Sequence, residues 1–248
     1  MHKIFEQLKI EAKKIASQNM PKFYTLFVKE QRQSHAFFFD NPLIYRLRED
    51  VLPFLLDKTG HGIDHAKKVA IDASTLILLE CKKLPQKTVK RLFLLAQIAG
   101  LLHDICRYEP NHAQKGAELS LKILEEYPLD TVEKQSIAFA IQEHEAFSSQ
   151  KQPKDEYQEI ISAVLYDADK FRWGPDNFTT TLWEISTTKE WSPLDLKNKL
   201  PQALDFISKI NTTFRTNTGM HFGPEIIECG LNIGKYMYQT LNQLENYA

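Results

Sequence analysis

The sequence predicts an all-α protein. Apolar residues recur at helical spacing along most of the chain, and hardly any segment shows the period-two alternation of a half-buried strand. Turn signals are sparse and separate segments of about ten to twenty residues. We predict eleven helices, at 2–17, 21–36, 42–56, 62–80, 86–103, 112–126, 131–146, 156–170, 176–187, 193–214 and 223–246.

The composition is that of an ordinary globular protein. Of the 248 residues, 43% are hydrophobic and 25% are charged, which excludes a disordered or low-complexity chain. The net charge of -1 indicates neither nucleic acid nor an anionic membrane as a partner, and it leaves room for a small anionic substrate. Cys81, Cys106 and Cys229 form no C-x-x-C pair, so we expect neither disulfides nor a zinc-thiolate site, and we expect a cytoplasmic protein.

The first predicted helix is amphipathic, because lysines and glutamates interleave its apolar residues and leave no stretch like a secretory signal. The most apolar run, 92–102, is broken only by Gln97 and is too short for the roughly 20 residues of a membrane span, so it predicts a buried core helix. We predict one domain: a helical extension at 1–58, a core at 59–172 and C-terminal helices at 173–248. The extension either caps the core or forms the surface of a homo-oligomer.

Five successive helices each place a histidine or aspartate on their buried stripe. In the fourth helix His65 shares a stripe with apolar residues, and in the fifth helix His103 ends the stripe and is followed by Asp104. His112 begins the stripe of the sixth helix, His144 ends the stripe of the seventh, and Asp169 ends the stripe of the eighth. An imidazole or carboxylate without a partner in an apolar core costs several kcal/mol, so residues that converge in this way need either protons shared between them or a cation.

The residue types indicate the kind of cation. Histidine and aspartate without thiolate favour a borderline or hard divalent ion, so we predict Mn, Fe, Co, Ni or Mg. A lone histidine on an apolar helix face is more often a core residue, and only the joint pattern favours a metal site.

The motifs resemble those of the HD-domain metal-dependent phosphohydrolases. The matching segments are HGIDHAKKVA with His65, AGLLHDICR with His103 and Asp104, and LYDADKF with Asp169. This resemblance covers roughly residues 60–172. It implies that these four residues hold one metal ion. His112 and His144 are similar to the additional histidines of members that bind two ions bridged by Asp104, and one ion or two remain alternatives.

The chemistry that this resemblance implies is metal-assisted hydrolysis of a small phosphate ester, such as a nucleotide, in which a metal ion activates a water molecule. Beside Asp104, we expect Arg107 and Lys170 to act on the phosphate, with Lys68 and Lys115 as further candidates. Two alternatives stay open. One is a di-iron oxygenase on the same scaffold, and the other is a metal- or ligand-binding sensor without activity.

Other polar residues near the motifs have a structural explanation as well. We expect His61 to lie in a loop outside the metal shell and His221 to lie in a glycine-bounded loop. Helical spacing turns Asp167 away from the metal and directs Glu143 and Glu145 towards solvent. Cys106 is expected to pack rather than react. The aromatic segment 170–184 predicts either core packing or a pocket for a flat ligand.

Overall fold

The computed structural model describes residues 3–55, 60–148 and 151–245. It contains only helices and turns in these ranges, so the all-α prediction is confirmed. Short 3₁₀ turns follow α4, α7 and α11, and a π-helical turn at Asn177–Thr181 precedes α10. The helices are α1 (Lys3–Gln18), α2 (Lys22–Leu26), α3 (Val28–Asp40), α4 (Pro42–Val51), α5 (Ile63–Glu80), α6 (Gln86–Leu102), α7 (His112–Ile123), α8 (Thr131–Gln142), α9 (Glu156–Phe171), α10 (Leu182–Thr188), α11 (Pro193–Lys209) and α12 (Asn217–Glu245).

Helices α5 to α9 form the centre of the molecule. α5 packs along α6, α9 lies against α5, α6 and α8, and α7 packs on α8. The contact between α5 and α6 is close, because a Cβ atom on Gly100 would lie 2.4 Å from the Cα atom of Ala70. Only glycine therefore permits this approach. It brings the N-terminal end of α5 beside the C-terminal end of α6, where His65 and His103 lie.

The N-terminal helices and the C-terminal helices pack on this centre. α3 lies against α5, α4 lies against α6, and α1 lies against α12. The Phe5 ring contacts the buried Trp183 ring at 5.7 Å between centroids. The apolar contacts are continuous with one core, and the division into three segments at residues 58 and 172 remains a prediction.

Several predicted helix boundaries differ from the structure, and three of them are instructive. The segment 21–36 forms two helices, because the backbone of Phe27 is not helical (φ −106°, ψ 34°). The helix predicted at 131–146 ends at Gln142. α12 begins at Asn217 and continues through Pro224, where we expected a start. A proline inside a helix costs about 3 kcal/mol, and the burial of the apolar side chains that follow it outweighs this cost.

None of the helices that the structure describes combines the length and the apolar character that crossing a bilayer requires.

Candidate metal centre

The predicted histidines and aspartates come together at one end of the central helices. His65 lies in the first turn of α5, His103 and Asp104 directly follow α6, and His112 begins α7. His144 lies two residues beyond α8, and Asp169 lies in the last turn of α9. Helix ends thus provide all of these side chains. Their potential ligand atoms form groups in which every pair lies within 4.8 Å.

The first group consists of His65, His103 and Asp169, with Asp104 beside it. The Nε2 atoms of His65 and His103 are 3.1 Å apart, and Asp169 Oδ1 is 3.4 Å from His65 Nε2. Asp104 Oδ2 lies 3.5 Å from His103 Nε2. All four side chains are buried. The four side chains that the sequence analysis assigned to one ion therefore lie together around one small space.

The second group consists of Asp104, His112 and His144. The other oxygen of Asp104, Oδ1, is 3.7 Å from His144 Nε2 and 3.8 Å from His112 Nε2. This oxygen is buried, and the described residues offer it no hydrogen-bond partner. Asp104 thus presents one carboxylate oxygen to each group.

Backbone hydrogen bonds fix the orientation of two imidazole rings. His103 Nδ1 lies 2.8 Å from the Gly100 carbonyl oxygen, and His144 Nδ1 lies 2.6 Å from the Ile141 carbonyl oxygen. A carbonyl oxygen only accepts, so each Nδ1 carries the proton and donates it. Each Nε2 therefore directs its lone pair at the cluster. Lone pairs and carboxylate oxygens around one space are the donor set that a divalent cation requires.

A family model of the HD domain matches residues 60–174. The match includes both groups and less than half of the chain. Residues 60–174 therefore resemble an HD domain. No curated protein and no solved structure matches the chain.

HD domains bind divalent metals and belong to a superfamily of metal-dependent hydrolases. The buried Asp104 Oδ1 and the aligned Nε2 atoms of this site fit such an ion. His65, His103, Asp104 and Asp169 would hold one ion, and Asp104, His112 and His144 would hold a second.

The electrostatics of the site favour the deprotonated forms of His103, His112, Asp104 and Asp169. Burial lowers the pKa of His103 to about 4 and also lowers the pKa of His112. Burial by itself would raise the pKa of Asp104, but His103, His144 and His61 together outweigh it and hold this pKa well below its usual range. The pKa of Asp169 is also well below its usual range, because Lys170 and His65 outweigh the effect of burial. Neutral imidazoles and ionised carboxylates are the forms that bind metal.

His61 lies in the site, contrary to our expectation. It precedes α5, as predicted, but its Nδ1 atom is 2.9 Å from Asp104 Oδ2. It also forms a possible ligand group with His65 and Asp104. The signal in the sequence was its position four residues before His65.

Of the two glutamates beside His144, Glu143 differs from its prediction. We assumed that both lie on a helix face turned to solvent, but α8 ends at Gln142 and the chain turns. Glu143 is buried, and its Oε2 accepts a hydrogen bond from the Lys151 amide (2.9 Å). Glu145 is partly exposed, and its Oε1 lies 3.5 Å from His112 Nδ1, where it can orient that ring.

The four predicted phosphate-binding cations have different surroundings. Arg107 lines the cavity beside the cluster, and its Nη1 lies 3.1 Å from His112 Nε2. Lys170 is buried, and its Nζ donates to Asp169 Oδ2 (2.6 Å). Lys170 therefore positions Asp169, which differs from the phosphate contact we expected. Lys68 pairs with Asp176 (3.0 Å), and Lys115 pairs with Glu109 (2.7 Å).

Three further residues lie outside the cluster. Asp167 points away from it but is fully buried, where it accepts hydrogen bonds from the Arg215 and Thr216 amides (both 2.8 Å). His221 lies on α12 and not in a loop. Cys106 is buried, and burial raises the pKa of its thiol, which agrees with a packing role.

A cavity of about 430 Å³ opens beside the first group. His61, His65, Asp169 and Arg107 line it on the side of the cluster. The aromatic segment 170–184 contributes both to the core and to the wall of the cavity. Phe171, Phe178 and Trp183 are buried in the core, whereas Arg172, Trp173 and Asn177 line the cavity. Residues of α10 and α11, together with Thr181 and Trp191, form the rest of the wall.

Proposed function

We propose that this protein is a metal-dependent phosphohydrolase that acts on a small phosphate ester, such as a nucleotide. The observation that carries the proposal is the buried carboxylate of Asp104, which directs one oxygen at each of two histidine groups and leaves Oδ1 without a hydrogen-bond partner in the described part of the chain. A buried carboxylate oxygen of this kind is costly unless a cation is bound there.

A bound divalent metal supplies Lewis-acid catalysis and lowers the pKa of water near to neutrality. The residues of the chain hold and orient the reactants. Arg107 lines the cavity beside the cluster and is placed to pair with the oxygens of a phosphoryl group. Lys170 keeps Asp169 ionised and fixed. The cavity beside them has the size of a small-molecule site.

The test is reconstitution of the full-length protein with Mn, Fe, Co, Ni and Mg in parallel, followed by elemental analysis and assays on a panel of phosphate esters. We expect one or two equivalents of metal and metal-dependent release of phosphate. Asp104→Ala should lose both the metal and the activity. The matched control is Asp64→Asn, which removes an exposed carboxylate one residue before His65. It should retain both properties.

Other outcomes would contradict the proposal. A wild type without bound metal excludes metal-dependent catalysis. Metal binding with dioxygen consumption by the reduced iron form, and without phosphate release, indicates the oxygenase alternative. Bound metal without any turnover indicates a sensor.

A further inference from the structure

Three aromatic rings form a continuous row at the cavity beside the metal centre. The Trp173 and Phe206 rings line the cavity and lie 5.4 Å apart between centroids. The Phe147 ring lies 5.4 Å from the Phe206 ring on its other side. We call these three residues the aromatic rim. Phe206 is 41% exposed and Phe147 is 55% exposed. Rings that stay this exposed bury little apolar surface and therefore add little to the stability of the fold.

The backbone of Phe147 is strained. Its φ angle is +63°, in the left-handed region that glycine and asparagine tolerate. A bulky aromatic residue in this region carries a steric cost, and such residues are retained where they serve a function. Phe147 follows His144 by three residues. The loop that delivers a candidate metal ligand therefore also holds an exposed ring beside the cavity.

The cavity connects the aromatic rim with the metal centre. His65, Asp169 and Arg107 line the same cavity as Trp173 and Phe206. Its volume of about 430 Å³ accommodates a ring system in addition to a phosphate group. Asn177 and Gln202 also line it and provide polar contacts for ring heteroatoms.

We infer that the aromatic rim binds the organic part of the substrate, and that this part is a flat aromatic ring system. The inference rests on the proposed function, which places the phosphate beside the metal centre. Aromatic side chains bind flat rings through stacked or edge-to-face contacts. Phe206 lies on α11, outside residues 60–174, so helices beyond the HD match contribute to the choice of substrate.

The test compares two non-hydrolysable ligands by isothermal titration calorimetry with the Mn-loaded full-length protein. The ligands are 1-naphthylmethylphosphonate and methylphosphonate, which share the phosphonate group and differ in the ring. We expect the wild type to bind the naphthyl ligand at least about tenfold more tightly, because the ring buries apolar surface. Phe206→Ala and Phe147→Gly should each weaken naphthyl binding by about 2- to 12-fold and leave methylphosphonate binding unchanged.

The controls separate a binding role from a structural one. Phe39→Ala removes a ring that is 42% exposed and lies on α3, so it should leave both affinities unchanged. Glycine adopts a positive φ without strain, so Phe147→Gly should keep the melting temperature of the wild type or raise it while the affinity for the ring falls. An equal loss of affinity for both ligands, or a lower melting temperature with unchanged ring preference, would overturn the inference.

The outcomes distinguish this inference from the proposed function. A wild type that prefers the naphthyl ligand but hydrolyses no phosphate ester would refute the phosphohydrolase and support the aromatic rim. A wild type that hydrolyses phosphate esters without a preference for the ring would refute only the inference about the rim. A nucleoside 5′-phosphonate in the same titration distinguishes a nucleobase from a simple aryl group.

Discussion

Two buried polar clusters lie side by side in this protein, and they differ in the balance of their charges. In the metal centre, Asp104 and Asp169 face imidazoles whose Nε2 atoms belong to two neighbouring groups, and one buried oxygen has no hydrogen-bond partner in the described part of the chain. In the second cluster, Arg172 donates to Asp72, Asp176 and Tyr24, and Lys68 also pairs with Asp176. We call this second cluster the arginine network.

This difference in charge balance distinguishes a candidate binding site from a cluster that serves the fold. The carboxylates of the arginine network pair with cations of the chain itself. The metal centre contains more acceptors than donors, and among the described residues Lys170 and Arg107 are the lysine and arginine that pair with its carboxylates. We therefore expect a metal ion to complete the metal centre, whereas the carboxylates of the arginine network are already paired, so that removal of one partner there should destabilise the fold.

Removal of metal should produce the largest effect and should act on the metal centre alone. We expect a chelator to lower phosphate release by about 10³-fold or more, because the metal supplies several kcal/mol of stabilisation to the transition state. Loss of metal should also lower the stability of the wild type, by about 4 kcal/mol where free metal exceeds its Kd a thousandfold. Activity assays and urea unfolding with and without the chelator measure both effects.

The control for metal removal is Asp104→Ala, whose stability should not respond to the chelator. A chelator effect of the same size in this variant would show that the metal binds elsewhere.

Asp72→Ala should break the arginine network and spare the metal centre. Asp72 is as deeply buried as Asp104, with 4% and 3% of their surfaces exposed. Its removal leaves the buried Arg172 without one of its carboxylate partners, so we expect a loss of about 3–5 kcal/mol in the free energy of unfolding. Elemental analysis should find the same metal content as in the wild type.

The comparison would fail if Asp72→Ala lost its metal as completely as Asp104→Ala. The two carboxylates would then belong to one functional cluster.

Acid should destabilise the metal-free protein through its histidines. The pKa of His103 is about 4 in the folded protein, because burial disfavours the charged ring, against an ordinary value of 6.5. Between pH 4 and pH 6.5 the unfolded chain binds more protons than the folded protein does. The free energy of unfolding is therefore highest above pH 6.5 and falls as the pH falls to about 4. This shift corresponds to a loss on the order of 3 kcal/mol. Urea unfolding in the presence of a chelator across this range measures it.

His103→Gln should reduce this dependence on pH, and the remainder belongs to His61 and His112, whose pKa values burial also lowers. Asp72→Ala should retain it, because the arginine network contains no histidine among the described residues. Equal stability at pH 6.5 and pH 4 in the wild type would contradict the assignment.

The sequence was sufficient for the fold class and for most of the metal centre, because both depend on helical periodicity. His65, His103 and Asp169 lie on apolar stripes, and a stripe faces the core wherever the helices pack. The prediction of Glu143 as exposed was wrong because it extended α8 beyond Gln142, and a helix end depends on local turns that periodicity does not show.

Contacts between distant segments could not be predicted from the sequence. The rim joins Phe147 to Phe206, which is 59 residues away, and this pairing depends on how α11 packs. The contact between the Lys170 amine and Asp169 could not be predicted either. Adjacent side chains on a helix usually point in different directions, but this one folds back to Asp169. Side-chain conformation and tertiary packing decide both.

Tyr24→Phe should give the smallest effect and shows whether the N-terminal helices belong to the arginine network. The Tyr24 hydroxyl lies on α2, donates to Asp72 Oδ2 (2.8 Å) and accepts from Arg172. Its loss leaves two buried charged groups with one partner fewer, so we expect a loss of about 1–2 kcal/mol in the free energy of unfolding with unchanged metal content. Tyr45→Phe, which removes an exposed hydroxyl on α4, should leave stability unchanged. If Tyr24→Phe and Tyr45→Phe were equally stable, the network would end at Arg172, and the Tyr24 hydroxyl would contribute nothing to holding the extension on the core.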